Sequence, residues 1–134
     1  MQIDGGCHCG AIAYRAEVDP EAVGICHCTD CQTLSGTAFR VVAPTAPGGF
    51  AILTGAPKEY VKTAESGARR IQAFCAECGT PIYSTSVGEE PKIYHLRVGS
   101  VRQRAQLPPR RQYWCRSAQG WLATLGDLPR AERE

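Results

Sequence analysis

Apolar and polar positions alternate with a period of two in short stretches along most of this chain, and nearly every stretch ends at glycine or proline. Residues 2–18 predict paired strands around Gly5-Gly6-Cys7-His8-Cys9-Gly10. Ile12 and Tyr14 share one face of a strand that runs to Val18 and stops at Asp19-Pro20. Phe39 to Ala43 predict a strand stopped by Pro44, Thr45 to Gly49 a loop, and Phe50 to Thr54 another strand, broken at Gly55-Ala56-Pro57. Glu59 to Thr63, Arg70 to Cys75 and Ile82 to Val87 alternate in the same way. Lys92 to Val98 predict a strand with Ile93, His95 and Arg97 on one face and Tyr94, Leu96 and Val98 on the other. Beyond Gly99 the regularity fades, and Tyr113-Trp114-Cys115 predict a last short strand before a loop that carries Trp121.

A helical signal interrupts this pattern once. Thr29-Asp30-Cys31-Gln32 fits a capping box, with Thr29 at the N-cap and Gln32 three residues in. The helix is expected to run to about Leu34 and stop at Ser35-Gly36. That places Cys31 in its first turn, where free amide hydrogens favour a thiolate. The expected fold is therefore mainly β: an antiparallel domain with short helical turns and metal sites at its ends. Residues 3–125 are expected to form one domain, and 126–134 a charged C-terminal tail.

Charge and composition narrow the classes. No apolar run approaches the roughly 20 residues of a membrane span, and Met1-Gln2-Ile3-Asp4 lacks the features of a signal peptide. The expectation is a cytoplasmic protein with no membrane partner, in which clustered cysteines mean metal or redox chemistry rather than disulfides. The basic residues gather late. Residues 1–66 carry 4 basic and 7 acidic side chains, residues 67–134 carry 11 and 6, and the excess is mostly arginine. An anion site for a carboxylate-bearing substrate is one use for Arg97, Arg110 and Arg116; a solvated face is the other. At a pI of about 8.1, nucleic acid is not the expected partner.

The eight cysteines carry the chemistry. Cys26-His27-Cys28-Thr29-Asp30-Cys31 holds three in six residues, bracketed by Cys7-His8-Cys9 and Cys75-Ala76-Glu77-Cys78. Such bunching asks for a soft, non-redox cation, and zinc is the usual one. Seven thiolates carry −7 and two zinc ions +4, which takes the formal charge of +2 to about −1. Cys7, Cys9, Cys75 and Cys78 can close a four-thiolate site, with a knuckle at Cys75–Cys78 whose unusual backbone angle Gly79 supplies. Cys26, Cys28 and Cys31 leave a corner for water, a substrate or another residue, with Cys115 one candidate. The sulfurs can also divide differently, with the triad joined to one outer cysteine, and redox chemistry is a further alternative. In an extended Cys7-His8-Cys9 the two sulfurs point to one side and His8 to the other. His8 and, by the same alternation, His27 are expected to be non-ligands.

A three-thiolate zinc donates too heavily to its metal to make hydroxide well. It suits another soft ligand, and a thiol bound there is deprotonated at neutral pH. Such a thiolate can add to an aldehyde carbon, and the reverse reaction breaks a carbon–sulfur bond.

Gly5-Gly6-Cys7-His8-Cys9-Gly10, Cys26-His27-Cys28-Thr29-Asp30-Cys31-Gln32 and Phe74-Cys75-Ala76-Glu77-Cys78-Gly79-Thr80-Pro81, in this order, resemble the glutathione-dependent formaldehyde-activating enzyme (GFA) family. Val98-Gly99-Ser100-Val101 and the stretch from Tyr113-Trp114 to Trp121 also fit. The family includes centromere protein V. The resemblance implies a tent-like β domain with two zinc ions: a structural one on Cys7, Cys9, Cys75 and Cys78, and a catalytic one on Cys26, Cys28 and Cys31. It implies a carbon–sulfur lyase that joins formaldehyde and glutathione to S-hydroxymethylglutathione, with glutathione or a similar thiol as cosubstrate. The alternative is a non-catalytic, zinc-stabilised binding module that uses the arginine-rich half.

Overall fold

The computed structural model describes all 134 residues. Nine strands and one short α-helix follow one another as β1 (Gln2–Gly6), β2 (Ala13–Val18), β3 (Gly24–Cys26), α1 (Thr29–Ser35), β4 (Arg40–Thr54), β5 (Lys58–Thr63), β6 (Arg69–Phe74), β7 (Pro81–Ser86), β8 (His95–Arg97) and β9 (Arg111–Tyr113). The sheet runs in the order β1-β2-β4-β8-β7-β6-β5, with β3 and β9 attached beside β4. Every pairing is antiparallel except that of β3 with β9. The expected antiparallel β fold with short helical turns is the fold observed. No helix is long and apolar enough to cross a membrane.

The register sorts side chains into two sets. Ala43 lies opposite Leu96, Leu96 opposite Tyr83, and Tyr83 opposite Ala73, so one row across four strands enters the core. The next row, Pro44–His95–Ser84–Gln72, must then point to the other face, because successive side chains alternate. Val42–Arg97 and Cys26–Arg40 are opposite pairs, and Arg40 and Val42 lie two residues apart on β4. The second face therefore collects Cys26, Arg40, Arg97, His95, Ser84 and Gln72. It is polar by sequence and becomes the site.

Several boundaries differ from those expected. Pro44 does not stop its strand: β4 is continuous from Arg40 to Thr54 and serves two neighbourhoods, pairing first with β3 and β8 and then with β2. Proline is tolerated because the ladder there resumes at the next residue, whose N–H donates to Tyr94 O at 2.9 Å. The pairing with β2 slips between Ala16 and Val18, beside the Pro47-Gly48-Gly49 bend. The strand expected over 92–98 keeps only His95–Arg97. Lys92 and Tyr94 spend their amides on the Glu90 and Thr45 side chains, and Val98 turns into a 3-10 turn. The last strand ends at Tyr113, not Cys115, because Trp114 takes a left-handed φ of 57° and swings the chain outward. From Leu128 onward no strand or helix forms, and every residue is exposed.

Candidate metal centres

The turn between β1 and β2 carries Cys7 and Cys9, and the turn between β6 and β7 carries Cys75 and Cys78. Both are tight. Gly10 N–H donates to Cys7 O with φ 83°, and Gly79 N–H donates to Cys75 O with φ 76°. These left-handed angles suit glycine. Residues 7–9 thus turn rather than extend, because the chain must reverse between two paired strands. His8 still stands apart: it is exposed, and its amide bonds Thr80 Oγ1 at 3.0 Å. The four sulfurs lie within 4.8 Å of one another, with Cys7–Cys9 at 3.6 Å and Cys9–Cys75 at 3.8 Å. Sulfurs bound tetrahedrally at 2.3 Å to one zinc would lie about 3.8 Å apart, so this donor set fits that ion. Ile12 N–H donates to Cys7 Sγ, and the Thr80 hydroxyl bonds Cys78 Sγ. That hydroxyl leads the effects pulling the Cys78 thiol down to about 5.

The triad follows β3. Cys26 ends that strand, Cys28 caps α1 and Cys31 lies in its first turn, with the three sulfurs within 4.8 Å of one another. The cap differs from the expected box. Cys28, not Thr29, is the N-cap, and its sulfur accepts from Cys31 N–H at 3.3 Å. Gln32 is therefore one residue further in, and its side chain leaves the helix: it donates to His27 O and Ser117 O and accepts from Gln119. The helix runs to Ser35 and ends on a left-handed Gly36, close to the expected stop. His27 points away from the sulfurs. It is buried, its Nε2 pairs with Gln112 Oε1 at 2.7 Å, and its ring packs edge-on against Phe39. Both histidines lie outside the sulfur clusters, as expected.

Cys115 is exposed and joins neither cluster. Within the triad the thiols share protons. A hydrogen bond from Cys31 draws Cys26 down to about 5, and the same bond pushes Cys31 up. Lys62, paired with Asp30 at 2.7 Å, adds a positive charge near Cys26.

Two cavities flank the triad. One, of about 320 Å³, is lined by Cys26, Cys31, Arg70, His95, Arg97 and Trp114 among others. The other, of about 360 Å³, meets Cys28, Lys62, Trp114 and Arg116. Trp114 stands between them. A larger cavity of about 650 Å³ begins behind Arg40, Gln72 and Arg97. Of the expected arginines, Arg97 is buried beside the triad, while Arg116 sits over the Trp114 ring near Cys28 and 3.9 Å from Glu65. Arg110 lines none of these three cavities and pairs with Glu21 at 3.2 Å. Sequence reasoning missed Arg40, Arg70 and Gln72. Gln72 Oε1 accepts from Arg40 Nη1 at 3.2 Å and Arg97 Nη2 at 2.6 Å. Burial pulls Arg97 down to about 9, helped by neighbouring Arg40 and opposed by the Cys31 sulfur. Burial, with Arg70 and Arg97 alongside, pulls His95 down to about 4, so it is neutral at physiological pH. The usable signal was the period-two face of His95 and Arg97, which points at whatever β3 and β4 present.

No curated protein matches the chain. A crystal structure of a Rhodobacter sphaeroides protein superposes with a TM-score of 0.62 at 18% identity, covering 82% of this chain and 99% of that one. It shares the fold. The family model of the glutathione-dependent formaldehyde-activating enzyme matches residues 2–117. With that match over most of its length, the chain belongs to the glutathione-dependent formaldehyde-activating enzyme family.

Proposed function

We propose that the protein is a zinc-dependent carbon–sulfur lyase that forms or cleaves a thiol–aldehyde adduct, such as S-hydroxymethylglutathione from glutathione and formaldehyde. The observation that carries this reading is the pairing of a four-sulfur cluster with a three-sulfur cluster that opens onto two cavities. Cys7, Cys9, Cys75 and Cys78 would hold a structural zinc; Cys26, Cys28 and Cys31 would hold the catalytic one. A zinc held by these three sulfurs would leave one coordination position for a thiol and would supply the Lewis acidity that lowers a thiol's pKa.

The remaining roles belong to the chain. Cys31 N–H, donated to Cys28, fixes one sulfur of the triad. Gln32 ties α1 to the loop that carries Ser117 and so holds the Cys28 side in place. Arg116 and Lys62 line the Cys28 cavity and suit a carboxylate of the thiol. Trp114 separates the two cavities and keeps the thiol and the carbon partner on their own sides.

The binding-module alternative has less support from the arginines that suggested it. Arg102, Arg110 and Arg116 pair with Asp4, Glu21 and Glu65, and Arg97 is buried, so these four offer no free basic face. The test is cobalt substitution. Glutathione should shift the cobalt–thiolate absorption, and Cys28→Ser should leave a folded but inactive protein. A spectrum indifferent to glutathione removes the first step of the proposed reaction.

A further inference from the structure

The cavity on the Cys26–Cys31 side holds more positive charge than the proposed reaction with formaldehyde needs. Arg70 and Arg97 both line it, and Arg40 lies just behind, sharing Gln72 with Arg97. None of the three meets an aspartate or glutamate: every ion pair in the protein involves other residues. The negative groups that act on Arg40 and Arg97 are the triad sulfurs, and a bound zinc would offset two of their three charges. Arg97 is only 7% exposed, and its Nε has no hydrogen-bond partner although it is buried. Buried cations are ordinarily paired, because leaving one unpaired is costly. Ser84 and His95 complete the wall, and both can hydrogen-bond an oxyanion or carbonyl.

We infer that this cavity is an anion subsite in which Arg70 and Arg97 hold the carboxylate of the carbon substrate, so that the protein's carbonyl partner is a short oxo-carboxylate rather than an uncharged aldehyde. The inference rests on the thiol–carbonyl reading above. The anion site and two triad sulfurs line one cavity of about 320 Å³, so one molecule that carries both a carboxylate and a carbonyl reaches them together. Planar guanidinium forks match a carboxylate through paired hydrogen bonds. In the reaction the thiol sulfur bonds to the carbonyl carbon and the C=O π bond opens. The thiol proton ends on the new hydroxyl oxygen. No oxidant or reductant is consumed.

The test uses zinc-loaded protein with glyoxylate, formaldehyde and glutathione as probes. Calorimetry measures glyoxylate and glutathione binding, and NMR follows adduct formation with each aldehyde. Wild-type protein should bind glyoxylate saturably. Arg70→Gln should weaken that binding by about tenfold or more, and Arg70→Lys should recover part of it. Glutathione binding should stay within about twofold, which also shows that the variant is folded, and the glyoxylate reaction should fall more than the formaldehyde reaction. The inference is overturned if Arg70→Gln weakens glutathione as much as glyoxylate, if the two aldehyde reactions fall equally, or if glyoxylate does not bind. Arg70-dependent glyoxylate binding with no adduct from either aldehyde would uphold the anion site and overturn the lyase reading instead.

Discussion

Gln72 is the side chain on which the buried arginines depend. Its single carbonyl oxygen takes a hydrogen from each of Arg40 and Arg97. Gln72→Leu leaves both donors short and should destabilise the protein by about 1–2 kcal/mol in urea unfolding. Gln72→Glu keeps the acceptor and adds the missing negative charge, so it should be neutral or stabilising. Equal losses from both would mean that the oxygen is not the active feature. His95 gives a second check. Its folded value near 4 lies below the ordinary 6.5 of histidine. Its neutral form thus contributes stability above about pH 6.5, and this is lost as the pH falls toward 4. Only three histidines are present. The His95 ring signals in NMR should not titrate between pH 7 and 5; a midpoint near 6.5 would place the ring in water.

Strand pairing decides what these side chains meet. β3 is three residues long and is held on both sides, by β4 and by the parallel β9, nearly 90 residues later in the chain. Gly24 makes the second contact possible. A β-carbon there would lie 2.8 Å from the Tyr113 ring. Gly24→Ala should displace Tyr113 and loosen the wall of the triad cavity, at a cost of about 1–3 kcal/mol by urea unfolding. Unchanged stability with an unperturbed Trp114 fluorescence would show that β9 gives way freely. The same element explains what could be seen in the sequence and what could not. The seven cysteine positions that cluster at single turns were legible, because a few residues fix their spacing, and so was the four-plus-three division they suggested. The face shared by His95 and Arg97 was legible as well. Its neighbours Arg40, Arg70 and Gln72 were not, since their meeting depends on registers among β3, β4, β6, β7 and β8 that no local pattern encodes. Pro44 misled for a related reason: a proline reads as a stop only when both sides of the strand need its amide. The cap misled because cysteine is not a usual N-cap, and here its sulfur does the work of a hydroxyl.

The four-sulfur cluster acts on the molecule as a whole. Cys7 and Cys9 follow β1, at one end of the sheet order, while Cys75 and Cys78 follow β6, near the other end. Sulfurs from these distant turns approach to 3.8 Å, so the sheet curls until its ends meet. An ion there would hold the curl shut. The triad bridges no such distance: its three residues run from the end of β3 to the start of α1. Loss of an ion from the first cluster should open the fold, and loss from the second should not. Native mass spectrometry of metal-replete protein, before and after mild chelation and alongside circular dichroism, separates the two. Two zinc ions per chain falling to one, with the spectrum unchanged, is the expected outcome. If both ions resist chelation, or if removing the first unfolds the chain, the triad is a closed structural site and not an open one.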